Sequence, residues 1–496
     1  MNSINIILTI KYSIYIIPLM VLLLSIVGVK EEKQRRRVMF NFSYISIILL
    51  GLGALNGVDV GMFLNNQIQM NEIIKFFEIL LLVFVFIVLI MLENSNRGLI
   101  NKIDEYKILF IMFSVIGILV SIEATNLLVL FYGIEITSIG YYLLAYYYKV
   151  NNTNNKKAIE GSVKYFIIGG LTSTIFLLGV ACIYNVTGSI NYSDIKLIFQ
   201  NIGVNDFYYL KDLAVLGICL IVLSLCIKLG LAPMHGWLID TYEGSGLLMT
   251  LFFTISQKIV ILSILITMYI YFFNGILLTT VIKLVYFLIM FTMIVGILGC
   301  LGQQKLIRFI GYSGIINSGF LLIFFIGNVK EELISYSLYY LINYMIGLIT
   351  LILILLCNKS RLSENQIEIV KEVSFLWQSN KLYSIIFIIT LLYLAGLPPF
   401  VGFLGKVILI VSNYSFNQIG ITVGILIATV GIMVYYINVI KIIKIDAQRT
   451  GVSMSINNSN ILKTLIVLGF TWEIFSQIYI DEIISALNVV VGNVYL

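Results

Sequence analysis

The sequence predicts an all-α polytopic membrane protein of about fourteen transmembrane helices, arranged as two inverted five-helix repeats with two discontinuous helices. Three observations carry the helical membrane class; the repeats and breaks rest on the placement of the prolines and on a family resemblance. The 496 residues are 60% hydrophobic and 11% charged, with a mean hydropathy of +1.02, whereas soluble domains average about 25% charged residues. Apolar residues fall in runs of about 16 to 25, the length a helix needs to cross ~30 Å of hydrocarbon. Basic residues collect between alternate runs. Only helices and closed barrels satisfy every backbone group in lipid, and these runs are apolar all round instead of alternating, so they are helices.

The runs lie near 12–29, 41–57, 73–92, 107–122, 125–148, 162–184, 212–232, 245–272, 280–301, 308–327, 332–357, 383–411, 419–443 and 462–480. The first is preceded by Lys11 and followed by no small-residue cleavage site, so it reads as a retained helix and not a signal peptide. Charge placement tests the count independently. Twenty Lys and Arg residues occupy the odd-numbered connections, beginning with Lys30, Lys33 and Arg35–Arg37, against Lys196, Lys211 and Lys330 in the even-numbered ones. A miscount of one helix in mid-chain would invert this pattern over half its length. Both termini then lie opposite the basic loops. The longest connections, about 185–211 and 358–382, are expected to hold short interfacial helices. The chain divides as 1–105, three N-terminal helices; 106–273, a first five-helix repeat; 274–445, a second; and 446–496, a last helix and tail.

Three of the four prolines stand in two similar places, Gly230-Leu-Ala-Pro233 and Gly396-Leu-Pro-Pro399. Proline removes a backbone donor and clashes with the preceding turn, which lipid tolerates only where protein or water satisfies the freed carbonyls. The first break follows the seventh run and the second lies in the twelfth, five helices apart. Interrupted helices at corresponding positions of two halves point to an inverted repeat with ion sites at middle depth; the plainer reading is two ordinary kinks.

Charges also enter the apolar runs: Glu135, Lys164, Lys228, Lys258 and Lys406. Each costs ~2.5–3.5 kcal/mol at a helix centre, so such groups face one another or water inside the bundle. A lysine shielded from water beside other cations releases its proton more readily, and a nearby carboxylate pulls the other way. One acid with several lysines is therefore the chemistry of a proton relay. Static buried ion pairs are the bland alternative, and Lys164, near a helix end, can simply snorkel. Glu78 reads as a membrane-edge carboxylate or a partner contact. His235, directly after the first break, is either a satisfied loop histidine or a titrating member of a water-filled pathway.

Other chemistry is excluded. Cys182, Cys219, Cys226, Cys300 and Cys357 form no CxxC and read as small buried hydrophobes, while a single histidine rules out a histidine-rich metal site. No G-x-G-x-x-G or Walker sequence is present, which argues against nucleotide binding, and nothing points to nucleic acid.

These residues resemble the antiporter-like subunit family of respiratory complex I (NADH:ubiquinone oxidoreductase), and within it the subunit 2 group. The stretch Lys228-Leu-Gly-Leu-Ala-Pro-Met-His-Gly-Trp-Leu-Ile-Asp-Thr-Tyr-Glu-Gly-Ser245 is similar to the signature K-x-[GS]-x-x-P-x-H-x-W-x-x-D-x-Y-x-G. Glu135 matches the glutamate of the fifth helix, Glu160-Gly-Ser-Val-Lys164-Tyr the E-A-x-x-K-Y segment, and Lys228, Lys258 and Lys406 the lysines of the seventh, eighth and twelfth helices. Gln303 and Arg308-Phe-Ile-Gly-Tyr-Ser313 match Q…R-L-L-[AG]-Y-S, although the usual lysine before the arginine is Ile307. A second departure is Gly246-Leu-Leu, where the family carries a proline-containing segment. The likeness spans roughly 105–445. Lys258, where other family branches carry His-Ala-Ala, favours the subunit 2 group.

The resemblance implies a membrane-arm subunit that translocates protons using quinone reduction elsewhere in its complex. Glu135 would pair with Lys228 on the input side, Lys258 would be central, and Lys406 would pass the proton outward. NAD, FMN, Fe-S clusters and ubiquinone would belong to other subunits, with no cofactor bound by this chain. Its partners would be the other membrane-arm subunits and the bilayer. Abundant Ile, Asn, Phe, Tyr and Lys suit an AT-rich organelle genome, hence the mitochondrial inner membrane with basic loops in the matrix, a bacterial plasma membrane being the alternative. The competing functions are a stand-alone Mrp-type cation/proton antiporter and a structural scaffold subunit.

Overall fold

The computed structural model describes residues 17–26, 28–29, 31–55, 61–63, 67–95, 103–147, 155–201, 208–272, 276–326, 331–360, 369–415, 419–445, 454–456 and 459–495. Several basic loop residues of the charge count, among them Lys30, Arg97, Lys149, Arg361 and Arg449, lie outside them. In chain order the helices are α1 (Ile17–Ile26), α2 (Glu32–Leu55), α3 (Glu72–Ser95), α4 (Ile103–Glu123), α5 (Leu127–Tyr147), α6 (Asn155–Thr187), α7 (Tyr192–Asn201) and α8 (Tyr208–Lys228). There follow α9 (Gly236–Ser245), α10 (Leu247–Phe272), α11 (Ile276–Cys300), α12 (Leu306–Leu321), α13 (Glu331–Cys357) and α14 (Phe375–Ser379). Last come α15 (Lys381–Ala395), α16 (Val401–Ser415), α17 (Ile419–Ile445), α18 (Asn460–Phe475) and α19 (Ile480–Tyr495).

Among the described residues, twelve helical segments are long and apolar enough to cross a membrane, and they fall on twelve of the fourteen expected runs. The other two runs differ. Of the first, α1 and residues 28–29 are described, and Lys11 lies outside the described residues. The run at 383–411 is two helices, because Gly396 turns left-handed (φ 76°) and Pro398-Pro399 cannot continue a helix. At the other break α8 stops at Lys228, Gly230 takes φ 75°, and α9 begins only at Gly236. Gly246, which replaces the family's proline-containing segment, has φ 78° and separates α9 from α10, so a left-handed glycine makes the corner there. The long connections contain the short helices expected of them, α7 in one and α14 in the other.

Among the described residues, two short antiparallel strand pairs form, β1 (Gly61–Phe63) with β2 (Ile68–Met70) and β3 (Asn358–Ser360) with β4 (Met454–Ile456). The chain forms two compact units: Met1–Gly230 with Ile255–Leu284 and Val490–Leu496, and Leu231–Thr254 with Val285–Val489.

In the first unit α4 and α5 form the tightest hairpin. The reversal is made by Asn126, whose side-chain oxygen accepts from the Leu128 amide at 2.8 Å and caps α5. Glycines then let the two backbones touch, as small residues do between membrane helices. A Cβ on Gly133 would stand 2.7 Å from the Ser121 amide nitrogen, and one on Gly140 would stand 2.9 Å from Ser114 Cβ. This seam fixes the rotation of α5 and so the direction in which Glu135 projects. Arg35 on α2 reaches Glu105 on α4 at 2.6 Å and holds the N-terminal helices to the same hairpin.

Gly133→Val is expected to destabilise this seam by about 1–3 kcal/mol, as overpacking does. Thermal denaturation of the purified protein should show a lowered midpoint, whereas Ile139→Ala on the exposed face of α5 should leave it unchanged.

Candidate proton-carrying sites

The first unit holds an ion pair where a helix ends. Glu135 is mid-helix in α5, and Lys228 is the last residue of α8. Lys228 Nζ lies 3.4 Å from Glu135 Oε1, their side chains 12% and 28% exposed. That separation is at the long edge of a hydrogen bond, so the pair is in contact without being clamped. The break leaves the Lys228 carbonyl without a helical donor, and the Gln257 side-chain amide on α10 donates to it. Next to Gln257 on α10, Ser256 Oγ lies 2.7 Å from the Tyr141 hydroxyl. Lys228, Gln257, Tyr141 and Tyr165 line a small cavity with room for about one water molecule. Lys258, the residue after Gln257, is buried on α10, 5% exposed.

The second unit holds a lysine at the other break. Lys406, on α16, is 2% exposed. Its Nζ donates to the carbonyls of Leu394 at 3.0 Å and Ala395 at 2.8 Å, the last residues of α15. Those carbonyls are the orphans that the Gly396 turn leaves behind, and they carry the negative end of the helix dipole. An ammonium is the matching group. The ring of Phe320 lies 5.6 Å from the same nitrogen. Gly396 permits this approach, since a Cβ there would meet Lys406 Cδ at 2.8 Å and Nζ at 3.0 Å. A second small cavity, again with room for about one water molecule, is lined by Lys406, Asn317, Asn343 and Tyr393.

The remaining candidates lie elsewhere. Lys164 pairs with Glu160 on its own helix at 2.5 Å, and both side chains are exposed, 42% and 60%. His235 stands at the N-cap position of α9 without a side-chain cap bond; its Nδ1 lies 3.1 Å from the Pro233 carbonyl oxygen, and its ring 6.1 Å from that of Tyr312. Glu78 is buried within the first unit, 1% exposed, and so is not on a surface open to a partner.

Sequence reasoning missed several groups that hold these sites. Glu243 accepts from Lys305 at 2.5 Å and from Arg308, while Arg308 also reaches Asp240 at 3.3 Å. This cluster, with Asp240 at a signature position and Glu243 between signature positions, fastens α9 to the start of α12. Gln257 and Asn343 are ordinary uncharged polar residues in apolar helices, and nothing in their spacing distinguishes them from Ser or Thr satisfied by their own turn.

A polytopic helical protein with lysines at two helix breaks, one beside a glutamate and one on open carbonyls, is of the antiporter-like class. The chain belongs to the family described as NADH:quinone oxidoreductase/Mrp antiporter, TM, whose model matches residues 124–434. It is 45% identical over 494 residues to NADH-ubiquinone oxidoreductase chain 2 of Dictyostelium discoideum, covering 99% of this chain and 98% of that one. Its fold is similar to a chain of respiratory complex I from Thermus thermophilus solved with bound aureothin, with TM-score 0.76 at 19% identity, covering 96% of this chain and 99% of that one. A chain of the Mrp complex from Dietzia sp. DQ12-45-1b is comparably similar in fold, with TM-score 0.75 at 16% identity and 98% of both chains covered.

Gly396→Ala would place a methyl group against Lys406 in a left-handed backbone position that costs an L-residue roughly 1–2 kcal/mol. Coupled activity of the assembled complex should fall at least severalfold in this variant, and Gly28→Ala, where a Cβ meets nothing within 4 Å, should have no effect.

Proposed function

We propose that this chain is a proton-translocating membrane-arm subunit of an NADH:ubiquinone oxidoreductase, in the mitochondrial inner membrane with its basic loops in the matrix. Electron transfer occurs in other subunits, which hold NAD, FMN, Fe-S clusters and ubiquinone; this chain carries protons. The reading takes 106–273 and 274–445 as its two repeats. Relatives across nearly the full length carry the oxidoreductase name, and the observation that carries the mechanism is the Glu135–Lys228 pair at the end of a broken helix.

A charge in that setting is retained only if it is paired or changes protonation. While Glu135 is ionised it stabilises the Lys228 ammonium through a 3.4 Å contact. Any movement that lengthens this loose contact removes the stabilisation and releases a proton toward Lys258. Lys406 then receives it against the carbonyls of α15, a site built for a cation, and delivers it to the far side. Lys164, turned outward to Glu160, and His235, whose ring nitrogen lies against the Pro233 carbonyl, stand beside this path and not on it.

Replacing Glu135 with Gln, or Lys228 with Met, is expected to leave assembly intact and to lower coupled quinone reductase activity about tenfold, a loss of ~1.4 kcal/mol. Proton uptake into proteoliposomes alongside NADH oxidation measures it, and unchanged pumping in both variants contradicts the relay. Purified alone, the chain should transport neither Na⁺ nor K⁺. Exchange by the isolated chain in liposomes would establish the stand-alone antiporter instead.

A further inference from the structure

Glu473 on α18 is a buried carboxyl to which the relay assigns no task. It is fully inaccessible, in a helix that is otherwise largely exposed around it. Its Oε1 accepts from Thr350 Oγ1 on α13 at 2.5 Å. Its Oε2 is also buried and has no hydrogen-bond donor among the described residues. A static structural carboxylate would have both oxygens satisfied, because a bare ionised oxygen in an apolar span is costly. A carboxyl that alternates between ionised and protonated needs one oxygen left open.

Packing sets this group close to the Lys406 site. A Cβ on Gly469 would fall 1.9 Å from Thr350 Cγ2, so α18 approaches α13 here without a side chain between them. Glu473, one turn on from Gly469, is brought onto the same seam. Asn343 lies two turns before Thr350 on α13 and therefore on the same face. Its Oδ1 accepts from Trp472 Nε1 at 3.1 Å and from the Tyr393 hydroxyl at 3.2 Å. Tyr393 and Asn343 also line the cavity that holds Lys406. Polar groups thus run from Lys406 through Tyr393 and Asn343 to the two adjacent α18 residues Trp472 and Glu473, all within the second unit.

We infer that Glu473 is a further proton-carrying residue, which takes the proton that Lys406 releases. The step is a simple transfer, with one N–H bond of the Lys406 ammonium broken, leaving a neutral amine, and an O–H bond formed at Glu473 Oε2. The Tyr393 hydroxyl and a water in the cavity relay it. Release of the proton to water at the far membrane face restores the carboxylate.

This inference rests on the proton-translocating reading, and the experiment separates the two. In the assembled complex reconstituted into liposomes, protons moved per NADH oxidised are compared for Glu473→Gln, Glu473→Asp and Lys406→Ala. Glu473→Gln keeps an acceptor for Thr350 but cannot be protonated, and its ratio should fall at least severalfold; Glu473→Asp, still titratable, should recover part of the loss. A normal ratio in Glu473→Gln together with loss in Lys406→Ala overturns the inference alone, and normal ratios in both overturn the relay itself. Recovery by Gln as good as by Asp also overturns it, since that assigns Glu473 a merely structural hydrogen bond. Should Glu473→Gln not assemble, Thr350→Val, which removes the donor and leaves the carboxyl in place, must displace the pH profile of pumping; an unmoved profile counts against the proposal.

Discussion

An ammonium held against the open carbonyl end of an interrupted helix is the interaction around which the second unit is organised. Lipid supplies no hydrogen bonds, so every carbonyl that a break frees must find a donor within the protein. Lys406 supplies one for Leu394 and Ala395 at once. The same contact solves the complementary problem of a cation in hydrocarbon, since two carbonyls, the helix dipole and the Phe320 ring stand in for its water shell. Remove either the break or the lysine and the other becomes a liability.

The first unit meets the same constraint with different groups. There the lysine is the terminal residue of the interrupted helix, its ammonium meets a glutamate, and an uncharged Gln257 satisfies the freed carbonyl. The division matters for function. A cation held by carbonyls keeps its site when it loses a proton, because the neutral amine still donates. A cation held by a carboxylate alters the charge of both partners when the distance changes, and 3.4 Å leaves that distance adjustable. In the proposed relay, the first kind of site would store a proton and the second would be switched.

Fixed groups around these two sites explain how loose contacts keep their register. The glycine seam of α4 and α5 sets Glu135, and the Glu243 cluster with Lys305 and Arg308 pins α9 beyond the break. Because that cluster lies at the ends of helices with partly exposed basic side chains, it tolerates full ionisation, unlike charges at middle depth. Asn317, Asn343 and Tyr393 do for Lys406 what Gln257 and Tyr141 do for Lys228, lining the space beside the lysine with uncharged donors and acceptors.

Composition and the length of apolar runs determined that the chain is a helical membrane protein, because the ~30 Å of hydrocarbon and its lack of hydrogen bonds leave no other choice. Glycine and proline likewise placed both breaks, since their backbone limits are local, and the intramembrane charges marked Glu135, Lys228, Lys258 and Lys406 by cost alone. Partners were beyond local reasoning. The sequence leaves Lys164 either inside the bundle or snorkelling from a helix end, and only its helix shows it turned outward to Glu160; Glu78, read as an edge or partner-facing carboxylate, is buried. Gln257, Asn343 and Glu473 acquire their roles from residues 29, 129 and 123 positions away in the chain. Which face of a uniformly apolar helix turns inward is decided by packing against other helices, and no periodicity in such a helix records it.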